Sequence, residues 1–230
     1  MTIRPGFEEI PLDLSRVPSV EQGLADAAVR YQAFTKLATS SLGAGEEKVL
    51  LLSHLPLMSF INRSVSLHAG ITAAVEAANP HVVFTLLRAY SELVVLTYYV
   101  NDHPDYLVVL ERPMSDLPKG TRKTFAELFD YAAPEMPGIR TVYAVLSEMA
   151  HFGSTALWHP FSITDAEVEG MGGHFSYSTA PHWHNPARDP LTGLAMLQEA
   201  DEAVLHILGA FAREHILPRV VALTGDGPPA

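Results

Sequence analysis

The chain reads as an all-α protein, an up-and-down helical bundle with a long irregular insertion before its last helix. Two observations predict this. Apolar residues recur at three- and four-residue spacing over long stretches, punctuated by Asn79-Pro80, His103-Pro104 and Pro137-Gly138. Residues 154–189 then change character, with Pro160, Gly170, Gly172, Gly173, Pro181 and Pro186 and far fewer aliphatic side chains. The composition, 48% hydrophobic and 18% charged over 230 residues, is that of a well-buried globule.

Residues 1–17, rich in proline and polar side chains, are expected along the surface, and 18–223 form one helical domain. Ser19, with Gln22 three residues on, caps a first helix running toward Leu42, which Gly43 and Gly45 break. A second helix is expected from about Glu46 to Ala78, with Pro56 and Gly70 as kink points. Asn79-Pro80 opens a third, from His81 to Asn101, stopped by His103-Pro104. A short helix from Asp105 to Glu111 follows, then one from Thr121 to Ala133 and one from Ile139 to Phe152 with Gly153 at its end. Within the insertion, Glu167–Glu169 and His174–Tyr177 flank a glycine-rich turn and suggest a small β-hairpin. The last helix, Leu191 to Ile216, repeats Leu194, Leu197, Leu205, Leu208 and Phe211, and 224–230 reads as a frayed tail.

The absence of cysteine excludes disulfides, thiolate metal sites and cysteine nucleophiles, and fits a reducing, cytoplasmic compartment. A net charge of −11 opposes general binding to nucleic acid. Met1–Glu9 lacks the apolar core of a signal peptide. The run Val82–Val100 has bilayer length but holds Arg88 and Glu92 near its middle. Each would cost about 2.5–3.5 kcal/mol at the centre of a lone transmembrane helix, so a buried helix is the better reading and no membrane partner is expected.

On a helical wheel His81, Thr85, Arg88, Glu92 and Tyr99 fall within a stripe roughly 60° wide on an otherwise apolar helix. Such a helix belongs at the centre of a bundle, and its apolar circumference suggests a homodimer. The stripe is a narrow solvent-facing seam, an internal ion pair that fixes helix register, or the lining of a pocket. Tyr143, Ser147 and His151 form a second axial row at i,i+4 spacing. A histidine there suits general acid or base work, with an arginine to stabilise a developing anion; the alternative is a core histidine bonded to Ser147 or to a backbone carbonyl.

The text Leu86-Leu87-Arg88-Ala89-Tyr90-Ser91-Glu92-Leu93, followed by Tyr143-Ala144-Val145-Leu146-Ser147-Glu148-Met149-Ala150-His151, resembles an uncharacterised bacterial helical family. That family looks distantly related to the HEPN (higher eukaryote and prokaryote nucleotide-binding) domains. The resemblance spans about residues 80–155. It implies a helical bundle with Arg88, Glu92, Tyr143, Ser147 and His151 as cavity residues. The arginine that HEPN ribonucleases place shortly before their histidine falls here on Ala144, Val145 or Leu146, and Arg140 is too far back. Metal-independent RNA cleavage therefore requires Arg88 to supply the cation from the neighbouring helix.

Other constellations are less complete. Glu148-x-x-His151 has the spacing of half a di-iron site, but Glu202 and His206 are four apart rather than three. His159, His174, His182 and His184 cluster without a known zinc spacing, and read as a histidine-rich surface loop. Lys119-Gly120-Thr121-Arg122, near Arg112 and Lys123, stands before a helix where an anion can bind, though a solvated charged loop is the better reading. There is no Walker loop, dinucleotide fingerprint, Gly-x-Ser-x-Gly elbow or zincin motif, so no cofactor or metal is expected. The expected function is a small-molecule- or nucleotide-binding or interaction module built around a polar pocket. The alternatives are a metal-independent ribonuclease or nucleotide-modifying defence factor, and a metal-dependent enzyme using Glu148 and His151.

Overall fold

The computed structural model describes residues 10, 12–42, 51, 54–151, 161–163, 175–177 and 179–224. In chain order the helices are α1 (Val20–Ser40), α2 (His54–Glu76), α3 (Pro80–Asp102), α4 (Leu107–Leu110), α5 (Phe125–Ala132), α6 (Ile139–Ala150), α7 (Asp189–Phe211) and α8 (Leu217–Thr224). The long helices α1, α2, α3 and α7 form the bundle, and α5 and α6 pack on the outer side of α3. This is the all-α bundle that the apolar periodicity predicts.

Local chemistry sets most boundaries. The Ser19 hydroxyl accepts the Gln22 N–H at 3.1 Å and starts α1. α2 begins at His54 rather than near Glu46; residues 46–50 lie outside the described residues. The buried His54 ring accepts the Leu51 N–H at Nδ1 and donates from Nε2 to the Ser41 carbonyl, both at 2.9 Å. It thereby joins the end of α1 to the start of α2. Pro56 falls in the first turn of α2, where a missing N–H costs nothing, so it does not kink the helix. Gly70 serves closeness rather than bending, since a Cβ there would stand 2.8 Å from Leu86 Cδ1 of α3.

The α2–α3 link is a three-residue reversal. Asn79 caps α3 by accepting the Val82 N–H, and Pro80 occupies the first turn. Ala78 takes the left-handed conformation, at φ 51°. The cap of α5 is Thr124, not Thr121: Thr124 and Glu127 form a reciprocal capping box. α6 follows Gly138 at φ 87° and ends at Ala150, two residues before Phe152. α7 starts at Asp189 and does not stop at Ile216. It widens into a π turn over Ala212–Ile216 and continues as α8, with Pro218 in the first turn of that last segment.

In the insertion, strand β1 (Phe161–Ile163) pairs antiparallel with β2 (Phe175–Tyr177), Phe161 opposite Tyr177. The second strand matches the predicted hairpin, but its partner is Phe161–Ile163; Glu167–Glu169 lies outside the described residues, as does the tail from 225 to 230.

The main core lies among α1, α2, α3 and α7, with Phe34, Leu57, Ile71, Phe84, Leu194 and Leu197 essentially sealed from solvent. A smaller cluster joins Val95 of α3 to Leu128, Phe129 and Ala132 of α5. The apolar faces of α3 are thus packed against α2, α5, α6 and α7 of the same chain. α3 is the one described helix long and apolar enough to cross a bilayer by composition, and half of its apolar window is buried inside the bundle.

Because a left-handed alanine crowds its Cβ against the backbone, Ala78→Gly should stabilise the protein by about 0.5–1 kcal/mol. Chemical denaturation would read this as a higher midpoint at unchanged slope, and a lower midpoint would contradict it.

Candidate functional site

α3 and α6 cross so that their polar rows meet. Arg88 and Glu92 lie one turn apart on α3, and Tyr143 and Ser147 one turn apart on α6. Arg88 donates from Nε to the Ser147 hydroxyl at 3.1 Å and from Nη2 to the Tyr143 hydroxyl at 2.8 Å. The same Nη2 stands 3.0 Å from Glu92 Oε1, to which the Tyr143 hydroxyl also donates at 3.0 Å. Phe129 of α5 backs the Tyr143 ring, with centroids 4.2 Å apart. The Arg88 and Glu92 side chains are 23% and 16% exposed. Their charges cancel locally and the four residues bond to one another, which makes the group a cross-brace between helices.

His151 does not join them. The helix ends at Ala150, and His151 is its exposed C-cap with φ −110° and ψ 28°, outside the regular helix that the row assumes. Among the described residues its side chain makes no hydrogen bond or ion pair. The expected meeting of arginine, carboxylate and imidazole therefore occurs for two of the three groups.

A second polar centre, absent from the sequence reading, sits inside the bundle. The Asp201 carboxylate of α7 is fully buried. It accepts from Arg30 Nε of α1 at 3.0 Å, from His68 Nδ1 of α2 at 2.9 Å and from the Tyr90 hydroxyl of α3 at 2.8 Å. Each of the four long helices supplies one member. Burial, reinforced by the adjacent carboxylate, holds the Tyr90 hydroxyl far above its ordinary range, so it stays a proton donor. Asp201 is buried more deeply than Glu92, whose side chain is 16% exposed. Its signal was positional: it fills the inward slot between Leu197 and Val204, hidden by Glu199 and Glu202 on either side.

On the α7 side of the α3–α6 seam lies a cavity of about 250 Å³. Its wall is apolar: Leu87 and Val94 from α3, Ile139, Val142 and Leu146 from α6, Met196, Ala200 and Ala203 from α7, and Met136-Pro137 before α6. Two polar residues line it, Ser91 and Glu199. Ser91 spends its hydroxyl on the Arg88 carbonyl at 2.7 Å. Glu199 is exposed, yet partial desolvation by its neighbours holds its carboxyl above its ordinary value, with Arg16 opposing and Glu202 reinforcing the shift. The expected polar pocket is thus an apolar one standing beside the polar brace.

The remaining constellations do not assemble into sites among the described residues. Glu202 is held by Arg16 at 2.6 Å and His206 is exposed, so the two do not complete a metal site with Glu148 and His151. No group of three metal-ligating side chains occurs among the described residues. His182 Nδ1 donates to the Ala180 carbonyl, while His159 and His174 lie outside the described residues. At the basic loop the α5 N-terminus is filled by its own Glu127, Lys123 pairs with Glu127, and Arg122 donates from Nη2 to the Leu110 carbonyl. Compared with family models, curated proteins and solved structures, the chain matches none.

Two outcomes follow from this geometry. Asp201→Ala strands Arg30 and His68 inside the bundle and should cost about 3–5 kcal/mol, the usual penalty for breaking a buried charged pair; a loss under about 1 kcal/mol in denaturant titration would remove Asp201 from its central role. Glu199, whose folded pKa is raised, adds stability only below its ordinary value of 4.5, and loses that contribution as pH rises through the folded value. Glu199→Gln should therefore raise Tm at pH 7 and leave it nearly unchanged at pH 3.

Proposed function

We propose that this protein is a small-ligand-binding helical module, whose binding site is the apolar cavity enclosed by α3, α6 and α7. The cavity is the observation that carries the reading. An engineered cavity of about 150 Å³ takes benzene, and this one is larger, at about 250 Å³. Predominantly apolar walls with a few placed polar groups are the usual make-up of small-molecule sites. No cationic side chain lines it, so a nucleotide's phosphates would find no counter-charge there. In this reading the HEPN-like resemblance bears on the scaffold and on the Arg88 brace, which sets the spacing of α3 and α6 along one wall. The ribonuclease alternative is less favoured, since Arg88 spends its donors on Ser147, Tyr143 and Glu92 and makes no hydrogen bond with His151.

Met136 and Met196 both line the cavity, which makes methyl-labelled methionine a direct reporter. Titrating 1-octanol into the protein should shift the Met136 and Met196 methyl resonances in a saturable way and leave that of Met58 on α2 in place. Ala203→Phe, which fills the cavity from α7, should abolish both shifts while the protein stays folded. Unmoved Met136 and Met196 signals up to the solubility limit of the alcohol would overturn the proposal.

A further inference from the structure

The cavity's lining holds one carboxylate, that of the exposed Glu199, and this bears on what the cavity receives. Glu199 makes no hydrogen bond or ion pair with any described residue. Arg16, the cation nearest in effect, is engaged by Glu202, donating from Nη2 to both carboxylate oxygens at 2.6 and 2.9 Å. Gln198 donates to Glu202 as well, at 2.9 Å. Ser91, the other polar residue of the wall, is spent on a backbone carbonyl. Every other lining side chain is apolar.

We propose that the ligand is a cationic amphiphile, an apolar body seated against α3 and α6 with a protonated amine paired to Glu199 at the wall formed by α7. This deepens the small-ligand reading above and rests on it. The chemistry is complementary in both parts. The apolar wall takes a body of roughly eight to ten carbons, judged by proportion from the cavity that holds benzene. A carboxylate without a protein partner at the edge of an apolar cavity is matched by a ligand group that brings both a positive charge and N–H donors. The overall charge of −11 steers cations toward the protein and repels carboxylate or phosphate ligands of the same shape.

The test uses three ligands that share one chain length and differ at the head: n-octylamine, 1-octanol and octanoate, each titrated at pH 7 with the Met136 and Met196 methyls as reporters. The wild-type protein should bind the amine about tenfold more tightly than the alcohol, roughly 1.4 kcal/mol, and octanoate most weakly. Glu199→Gln should weaken the amine about tenfold and leave the alcohol within twofold. Glu76→Gln, an exposed carboxylate at the end of α2 that removes the same net charge, should leave both affinities alone. Equal affinities of wild type for amine and alcohol, or equal losses of amine affinity in the two variants, would overturn the cationic assignment while the cavity reading stands. A failure of all three ligands to move either methionine would overturn both.

Discussion

The fold turns on a carboxylate taken out of water. Asp201 occupies an inward position of α7 and draws one donor from each of the other long helices, Arg30, His68 and Tyr90. Hydrophobic packing is tolerant of small rotations and slides, whereas three hydrogen bonds converging on one fully buried group are not. A helix shifted by one position would leave Asp201 or Arg30 without a partner, at a cost of several kcal/mol. The register of α1, α2, α3 and α7 is therefore set at this point, and the apolar seams above and below it fill in around a defined alignment.

α3 transmits that alignment outward. Tyr90 faces the buried carboxylate, Leu87, Ser91 and Val94 face the cavity, and Arg88 and Glu92 face α6. Three neighbouring stripes of one helix thus serve three different surroundings within two turns. The brace from Arg88 to Tyr143 and Ser147 keeps α6 at a distance set by polar atoms. The apolar space left between α6 and α7 is the cavity, with the exposed Glu199 as its one charged lining residue. A site of this kind depends on a gap that the polar contacts prevent from closing.

How much of this is legible in the sequence follows from which forces act locally. Asn79-Pro80, Ser19 and His103-Pro104 mark helix ends because caps and prolines act on their own backbone, and those boundaries agree to within a residue or two. The rows Arg88/Glu92 and Tyr143/Ser147 are visible because helical spacing is enough to form them. Asp201 is not visible in that way. Glu199, Asp201 and Glu202 look alike in the chain, and only the packing of four helices decides which of them turns inward. His151 illustrates the converse, since its place in a row assumed a helix that ends one residue before it. The cavity lies beyond any periodicity, being a property of where side chains fail to meet.

The His54 clip has a consequence for how this architecture can vary. Its ring bonds to backbone groups of Ser41 and Leu51, one on each side of residues 43–50. The junction of the first two helices is thereby closed independently of what lies between them. Lengthening such a connection is cheap, about 0.6 kcal/mol for each doubling. This corner is where the scaffold can accept an inserted peptide or a grafted epitope without disturbing the alignment that the interior enforces.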